Sequence, residues 1–285
     1  MTRRNDISEA TRRKHDQLLT ILRGFDSVCV GYSGGVDSVF LTAAAVDALG
    51  PERVVAVTGR SEAYPQVQRD AAVECARVIG VRHLEIETDE VRDPRYAANP
   101  SNRCYYCKAE LWTRLRAVAE QRGIAVVLDG SNADDAHDYR PGMRAASEHG
   151  VRSPLLEAGL TKSEIRALSG ERGLPSWDRP SSPCLSSRIP YGIAVTPERL
   201  AQVEAAERML RDHGFREFRV RHHGDVARIE TAPAERGRAI DLARTLDTGL
   251  RALGFTSVLL DVEGYRRGAL NEALPLVPLV RLGAA

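Results

Sequence analysis

Short polar residues and two adjacent glycines lie near the start of the chain, in the string SGGVDS at residues 33–38. The apolar run 27–31 before them predicts a buried strand, and apolar residues three and four apart in 36–49 predict an amphipathic helix. Glycines let the backbone turn sharply and approach a ligand, and a helix N-terminus offers unpaired N–H groups to an anion. The corner therefore predicts a phosphate-binding site, with a simple strand-to-helix turn as the alternative.

A second polar string, DGSNADD at residues 129–135, follows the predicted strand 124–128. Its short side chains could bind ribose, the edge of adenine or a metal ion. The alternative is a polar turn that caps a helix, because Asn, Asp and Ser favour both turns and caps.

Cysteines form the third candidate site. Cys104 and Cys107 lie three residues apart in NRCYYCK, so one helix face could present both sulfurs to a metal. Two thiolates do not complete a zinc site, and the available third cysteine is Cys184. It lies in a proline-framed loop beside Arg188, which could favour its thiolate, so it is also a candidate nucleophile. The alternative, a buried small residue, better suits two other cysteines, Cys29 and Cys75.

The elements that must position these residues alternate between strand and helix. Apolar runs predict strands at 27–31, 53–58, 83–87 and 124–128, with helices at 36–49, 65–79 and 104–120 between them. This alternation predicts an α/β fold, a parallel sheet with helices on both faces, whose ligands bind beyond the carboxyl ends of the strands. We also predict a polar helix at 6–23, a short last strand at 153–156, and a helix that begins with the capping box 161–164.

A smaller α+β domain is predicted after Ile193, which divides the chain into residues 1–193 and 194–285. The long, proline-rich loop 173–192 precedes it, and its predicted elements are a helix from 197, paired strands at 215–221 and 226–231, a helix at 233–253 and a strand at 257–262. Arg219 and Arg221 alternate on one strand face, which suits a substrate phosphate. A solvated face is the alternative.

The composition limits the function classes. At 285 residues the chain suits two domains, and its formal net charge of +1 gives no field that would attract nucleic acid. We therefore expect no nucleic-acid partner. Its apolar runs are shorter than the roughly 20 residues that span a bilayer. Since the first residues also lack an apolar core, we expect a cytoplasmic protein with reduced thiols.

The SGGVDS string lacks the Lys of a Walker A loop and resembles the pyrophosphate (PP) loop of the adenine-nucleotide alpha-hydrolase-like ATP pyrophosphatases. In that superfamily the loop holds the β- and γ-phosphates while ATP is split between α and β. The DGSNADD string is similar to a segment of the same superfamily. The resemblance implies ATP and Mg²⁺, with Asp37 near the metal and phosphates. The implied nucleotide-binding residues are Gly31, Ser33, Gly34, Gly35, Asp37, Ser38, Thr58, Gly130, Asn132 and Arg140.

Over nearly the whole chain, these strings together with RPGMRAASEHGVRSPL and SSPCLSSRIPYG resemble the LarE family of sulfur transferases. The resemblance implies adenylylation of pyridinium-3,5-biscarboxylic acid mononucleotide and its conversion to a thiocarboxylate, for the nickel-pincer nucleotide cofactor of lactate racemase. It also implies a homo-oligomer, a hexamer in relatives, and a sulfide donor. The implied substrate-binding residues are Arg188, Glu207, Arg219, Arg221 and Glu230.

The family uses two sulfur sources. In one type a single catalytic cysteine, here Cys184, surrenders its sulfur and becomes dehydroalanine. In the other, three cysteines hold a [4Fe-4S] cluster that can carry an extra sulfide. Because this chain has Cys104, Cys107 and Cys184, it resembles the cluster type.

Three other functions fit part of the pattern. A tRNA thiolase of the same superfamily would need a basic RNA-binding surface, which the balanced charge disfavours. A glutamine-dependent amidating ligase would need a glutaminase partner segment. A non-catalytic adenine-nucleotide sensor would leave the cysteines idle, and turnover of ATP to AMP and pyrophosphate would separate it from the enzymes.

Overall fold

The computed structural model describes residues 7–137, 141–180 and 182–266. The chain divides into two compact units. The first unit comprises the chain up to Leu185 together with Val195–Pro197, and the second comprises Ser186–Ala194 and the chain from Glu198 onward. The predicted boundary at Ile193 therefore lies inside Ser186–Ala194, which already belongs to the second unit. The chain returns to the first unit at Val195–Pro197 before it continues in the second.

Twelve helices and strands build the described part of the first unit up to residue 171. In chain order they are α1 Glu9–Arg23, β1 Val28–Gly31, α2 Val36–Leu49, β2 Val54–Arg60, α3 Gln66–Ile79, β3 Arg82–Glu87, α4 Pro94–Ala97, α5 Arg103–Gln121, β4 Val126–Leu128, α6 Pro141–Glu148, α7 Pro154–Glu157 and α8 Lys162–Glu171. Among the described helices of the whole chain, none is long and apolar enough to cross a membrane.

The four strands form one parallel sheet in the order β3-β2-β1-β4, which confirms the predicted α/β fold. Successive residues of β1 point to opposite faces of the sheet. Val28 and Val30 enter a core shared with α1, α2, α3 and α8, whereas Cys29 enters a core shared with α5 and α6. Because helices cover both faces, the strand ends are the part of the sheet left for a ligand.

The predicted strand at 153–156 is wrong. Arg152 makes a single parallel bridge to Leu128, and Pro154 then begins the short helix α7. Proline suits the first position of a helix, because its fixed φ is helical and its missing N–H would have no partner there. The apolar pair that follows it fits a buried helix as well as a strand, so the short run could not decide between them.

The helix signals at the ends of α3 and α8 are confirmed. Gly80 ends α3 in the left-handed conformation, with φ of 75°. The capping box of α8 is complete, since the Thr161 hydroxyl accepts from the Glu164 N–H and the Glu164 carboxylate accepts from the Thr161 N–H. This box fixes the start of α8, which matters for the site described below.

The elements after α8 form a smaller α+β unit, as predicted. They are α9 Pro197–Asp212, β5 Phe218–His223, β6 Val226–Thr231, α10 Arg236–Asp241, α11 Ala243–Ala252 and β7 Ser257–Leu260. Their sheet has the order β5-β6-β7, with β5 antiparallel and β7 parallel to β6.

The predicted single helix at 233–253 is two helices, α10 and α11, preceded by a turn of 3-10 helix at Pro233–Glu235. The helices meet at Leu242, whose φ of −93° and ψ of 8° lie outside the helical region. The Leu242 side chain packs against the core of the second unit.

Candidate active site

The loop of residues 32–35, called here the phosphate loop, joins β1 to α2. Gly34 has a φ of 67°, and α3 packs so closely on it that a Cβ there would lie 2.8 Å from the Ala72 Cα. Both features require glycine. At Gly35 the backbone is extended, and the nearest atom to an added Cβ is the Ser33 Oγ at 3.4 Å. The Gly35 side of the loop is therefore open.

Ser38 organises the loop from the first turn of α2. Its hydroxyl accepts from the Ser33 N–H at 3.1 Å and donates to the Gly35 carbonyl at 3.1 Å, and the residue is buried. Gly35 is the N-cap of α2, and within the described residues no side chain caps this helix. The first N–H groups of α2 thus remain for an anion.

Asp37 places a carboxylate in the same first turn. One of its oxygens, Oδ2, forms an ion pair with the Lys162 ammonium, while the other, Oδ1, is buried and has no hydrogen-bond partner among the described residues. Burial raises the pKa of Asp37, and Lys162 opposes that shift more strongly than Asp135 adds to it. A buried carboxylate oxygen without a donor is the kind of ligand that Mg²⁺ prefers, so the site fits this ion.

The DGSNADD segment lies against the first turn of α2, directly after the phosphate loop. A Cβ at Gly130 would come within 3.1 Å of the Ser38 N and 3.3 Å of the Asp37 Cβ. Asn132 is buried and its side-chain carbonyl accepts from the Asp134 N–H at 3.0 Å, so the segment is also a polar turn. The structure thus brings the two strings together, and glycine at position 130 permits the close approach.

Two other predicted nucleotide-binding residues have different positions. The Thr58 hydroxyl donates to the Tyr32 carbonyl at 2.6 Å and lies 2.8 Å from the His83 Nε2, so it holds the ends of β1 and β2 together. Arg140 lies outside the described residues. A binding role for either residue stays a prediction.

The cysteines of NRCYYCK lie in the first turns of α5. Cys104 is exposed and Cys107 is half-buried, with its Sγ 4.0 Å from the Glu90 Oε1. Desolvation raises the pKa of the Cys107 thiol well above its usual range, and nearby Glu90, Cys184 and Cys104 add to the shift. Cys184 is half-buried, and the next residue, Leu185, donates its N–H to the Ala63 carbonyl at 2.8 Å.

The three cysteines lie near one another in the first unit, since both Cys104 and Cys184 raise the pKa of the Cys107 thiol. Within the described residues, no three metal-ligating side chains gather around a single ion. By their chemistry alone, three thiols are the donor set of an iron–sulfur cluster. Cys29 and Cys75 are fully buried, as expected of structural cysteines.

Buried ion pairs hold the arginines of the second unit. Arg188 is bidentate with Glu207 at 2.8 and 3.0 Å, and Arg221 is bidentate with Glu230 at 3.0 and 2.9 Å. All four side chains are buried, because the β5–β6 pairing and α9 enclose them. A bidentate carboxylate fixes the plane of a guanidinium and leaves part of its donors for another group.

Arg219, on β5, is held differently. Its guanidinium donates to the Phe218 carbonyl at 2.6 Å and lies 4.8 Å from the centre of the Tyr265 ring. Burial lowers the pKa of Arg219 from its ordinary value. Since Arg219 and Arg221 are each less than a tenth exposed, the alternative of a solvated arginine face does not hold.

A protein of Lactiplantibacillus plantarum named pyridinium-3,5-bisthiocarboxylic acid mononucleotide synthase is 39% identical over 261 residues, which cover 92% of this chain and 95% of that protein. The chain belongs to this synthase family. A Synechocystis protein described as uncharacterized is 43% identical over 92% of the chain and 98% of its own length.

Members of the NAD synthase group resemble the part of this chain that contains the phosphate loop. Residues 17–133 match the NAD synthase family. An NH3-dependent NAD(+) synthetase of Hyperthermus butylicus is 32% identical over 57% of the chain and 60% of its own length. The chain is therefore an enzyme that shares the fold of an ATP-using family.

Two residues near these sites were missed by the sequence analysis. Lys162 served there only as part of a capping box, yet it forms the ion pair with Asp37, and its N–H donates to the Asp134 carboxylate at 2.9 Å. A basic residue at the first position of a helix is unfavourable for the helix dipole, and this could have signalled a role. Glu90 lies beside Cys107 in space but 17 positions from it in the sequence, in the short 3-10 helix Glu90–Arg92. No local pattern therefore marked it as a neighbour of the cysteines.

Proposed function

We propose that this protein converts a carboxylate of pyridinium-3,5-biscarboxylic acid mononucleotide into a thiocarboxylate, with consumption of ATP. The observation that carries the proposal is the full-length likeness to the L. plantarum synthase, whose name states a bisthiocarboxylic product. The product would serve the nickel-pincer nucleotide cofactor of lactate racemase, as the family resemblance implies.

Chemistry explains why ATP is needed. A carboxylate resists attack by a sulfur nucleophile because its leaving group would be oxide. If a carboxylate oxygen attacks the α-phosphorus of ATP, the bond to the β-phosphate oxygen breaks and pyrophosphate leaves. The acyl adenylate that results has AMP as its leaving group.

The phosphate loop and the residues around it supply the groups for this step. N–H groups at the start of α2 would bind the β- and γ-phosphates. The Oδ1 of Asp37, buried and unpartnered among the described residues, would hold Mg²⁺, which when bound neutralises charge on the phosphate oxygens. Lys162, whose ammonium lies beside Asp37, adds a second cation at the same place.

The sulfur step then exchanges oxygen for sulfur. A sulfur nucleophile attacks the acyl carbon, and AMP leaves with the electron pair of the broken carbon–oxygen bond. If the nucleophile is the Cys184 thiolate, the product is a thioester. Loss of the Cys184 α-proton then breaks the bond between its β-carbon and sulfur, which releases the thiocarboxylate and leaves dehydroalanine. This sequence needs no oxidant or reductant.

We propose the cluster route rather than the sacrificial one. The spacing of Cys104 and Cys107 on α5, and the electrostatic influence of Cys184 on Cys107, support a common site for the three thiolates. When bound, a [4Fe-4S] cluster held by three cysteines has one iron without a protein ligand, where an exchangeable sulfide can sit.

Anaerobic purification followed by iron and sulfide analysis tests this choice. The cluster route predicts bound iron in the wild type, its loss in Cys104→Ala, and repeated turnover of the wild type when sulfide is supplied. The sacrificial route predicts one turnover, a wild-type mass lowered by one H₂S, and a harmless Cys104→Ala. Cys184→Ala is inactive in both. A wild type that binds no iron after reconstitution and loses that mass would overturn the cluster route.

We also propose a homo-oligomer, and by resemblance a hexamer. Multi-angle light scattering of the wild type measures the molar mass, and a monomer at micromolar concentration would contradict this.

A further inference from the structure

Two side chains at the start of α3 fix one peptide group of the phosphate loop. The Ser33 carbonyl accepts a hydrogen bond from the Tyr64 hydroxyl at 3.0 Å and a second one from the Gln68 Nε2 at 3.1 Å. The same Tyr64 hydroxyl also lies 3.3 Å from the backbone carbonyl of Gln68. Both lone pairs of the Ser33 carbonyl are thereby engaged from the α3 side.

The same peptide group contains the N–H of Gly34. In a trans peptide, carbonyl and N–H point in opposite directions, and no cis peptide occurs in the described chain. Fixing the Ser33 carbonyl toward α3 therefore aims the Gly34 N–H away from α3. Ala72 of α3 closes the near side of Gly34, since an added Cβ would lie 2.8 Å from the Ala72 Cα. The N–H thus points to the side of the loop from which a ligand must come.

The hydrogen bond from Gln68 to Ser33 leaves the other end of the Gln68 amide unsatisfied. Its Oε1 is buried and has no hydrogen-bond partner among the described residues. The orientation of the amide is set by Ser33, because only the NH₂ group can donate to a carbonyl. A buried acceptor without a donor lowers stability, so its presence beside the phosphate loop calls for an explanation.

We infer that Tyr64 and Gln68 are positioning residues for the pyrophosphate part of ATP, which act by holding the Ser33–Gly34 peptide with its N–H toward the phosphates. Without them this peptide can rotate, since its rotation takes the φ of Gly34 from 67° to negative values, which glycine adopts as readily. The inference rests on the proposed nucleotide site and assigns two residues, outside the SGGVDS string, to its phosphate specificity.

Isothermal titration calorimetry of the full chain with magnesium pyrophosphate and, separately, with AMP tests this. Tyr64→Phe and Gln68→Met each remove one donor and keep the size of the side chain. We expect the pyrophosphate Kd to rise about fivefold in each single variant and about thirtyfold in the double variant, the factors for one and two net hydrogen bonds. The AMP Kd should stay unchanged, because AMP lacks the β- and γ-phosphates.

A matched control is Gln66→Met, two residues earlier on α3, whose amide donates to Asp70 at 2.7 Å. It should change neither Kd. The unfolding temperature of Gln68→Met should not fall, because the variant also removes the unpartnered acceptor, whereas a merely structural Gln68 would lower it. A double variant that binds pyrophosphate as tightly as the wild type, or that loses AMP by the same factor, overturns the inference. A wild type that binds no pyrophosphate contradicts the proposed nucleotide site instead.

Discussion

The phosphate loop of the first unit and the buried arginines of the second both suit an anionic ligand, but they balance charge in different ways. At the loop, the start of α2 has no side-chain cap, and the Asp37 Oδ1 has no donor among the described residues. In the second unit, Arg188 and Arg221 are each bidentate with a buried glutamate. The loop can accept its ligand without breaking an ion pair.

The arginines, by contrast, are positioned in advance by their carboxylates. Arg221 has five N–H donors, of which two contact Glu230 and one donates to the Ser187 carbonyl at 2.8 Å. A ligand would meet a guanidinium whose plane is already fixed. The comparison therefore predicts that substitutions on the ligand side of the loop and at Asp37 remove activity without unfolding, whereas those in the second unit change stability and binding together.

The largest expected effect is that of Asp37→Ala on AMP formation. We expect a loss of about 10³-fold, as for removal of a group that stabilises transition-state charge. The fold should stay intact, because Asp37 belongs to neither hydrophobic core of the first unit. Substrate-dependent AMP release and far-UV circular dichroism measure the two quantities. Asp47→Ala, on the same helix and paired with Arg172, is the control and should keep activity. Normal AMP formation in Asp37→Ala would contradict the assignment of the phosphate loop and Asp37 to the ATP site.

Gly35→Val tests the open side of the loop. A side chain there fits sterically beside the Ser33 Oγ at 3.4 Å but occupies the space in front of α2, so AMP formation should be lost while the fold stays intact. Gly34→Ala should act differently and lower the free energy of unfolding by at least about 1–2 kcal/mol, because its φ of 67° is left-handed and its Cβ would also clash with Ala72 of α3. Urea denaturation distinguishes the two. Equal stability losses would mean that both glycines serve the fold alone.

Among the arginines of the second unit, Arg221→Ala should lower the free energy of unfolding by about 3 kcal/mol, the lower end for a broken buried pair, because Glu230 then keeps only Arg228, 3.5 Å away, as its cation. The double variant Arg221→Met with Glu230→Leu should recover most of that loss, since it removes both charges. Denaturation of the three proteins in urea measures the difference. A single variant as stable as the wild type would show that the pair is not held in the interior.

The smallest expected effect in this series is that of Arg219→Ala, whose guanidinium contacts a carbonyl and the Tyr265 ring. We expect the mononucleotide substrate to bind about ten- to a hundredfold more weakly, the range for a hydrogen bond to a charged group, with ATP affinity unchanged. Arg251→Ala on α11 of the same unit, where Arg251 forms an exposed pair with Asp247, is the control. Equal losses for both ligands would indicate a folding defect and not a substrate contact.

Local patterns predicted the first unit well, because its signals are close together in sequence. The strand, the glycines and the helix of the phosphate loop occupy residues 27–49, so their types alone indicate the corner. The contact between Gly130 and the start of α2 was predictable only through the rule that parallel strand ends meet at one edge. The short run at 153–156 failed because four residues cannot show a period.

Long-range pairing explains what the sequence could not show. The Asp37–Lys162 ion pair joins residues 125 positions apart, and nothing near Lys162 marks it as a partner of the loop. In the same way, Arg221 looks like one of many surface arginines until the pairing of β5 with β6 places it opposite Arg228 and beside Glu230. Burial converts such residues from solvated charges to fixed donors, and burial depends on the whole fold.

The most direct test of the central claim follows one oxygen atom. The pyridinium mononucleotide is prepared with heavy oxygen in its carboxylates and incubated with the wild-type protein, ATP, Mg²⁺ and a sulfide source under anaerobic conditions. Because a carboxylate oxygen attacks the α-phosphorus and AMP then leaves, the account predicts that each thiocarboxylate formed is matched by one AMP that carries one heavy oxygen. Sulfur-containing product with unlabelled AMP, or ATP cleaved to ADP and phosphate, would contradict it.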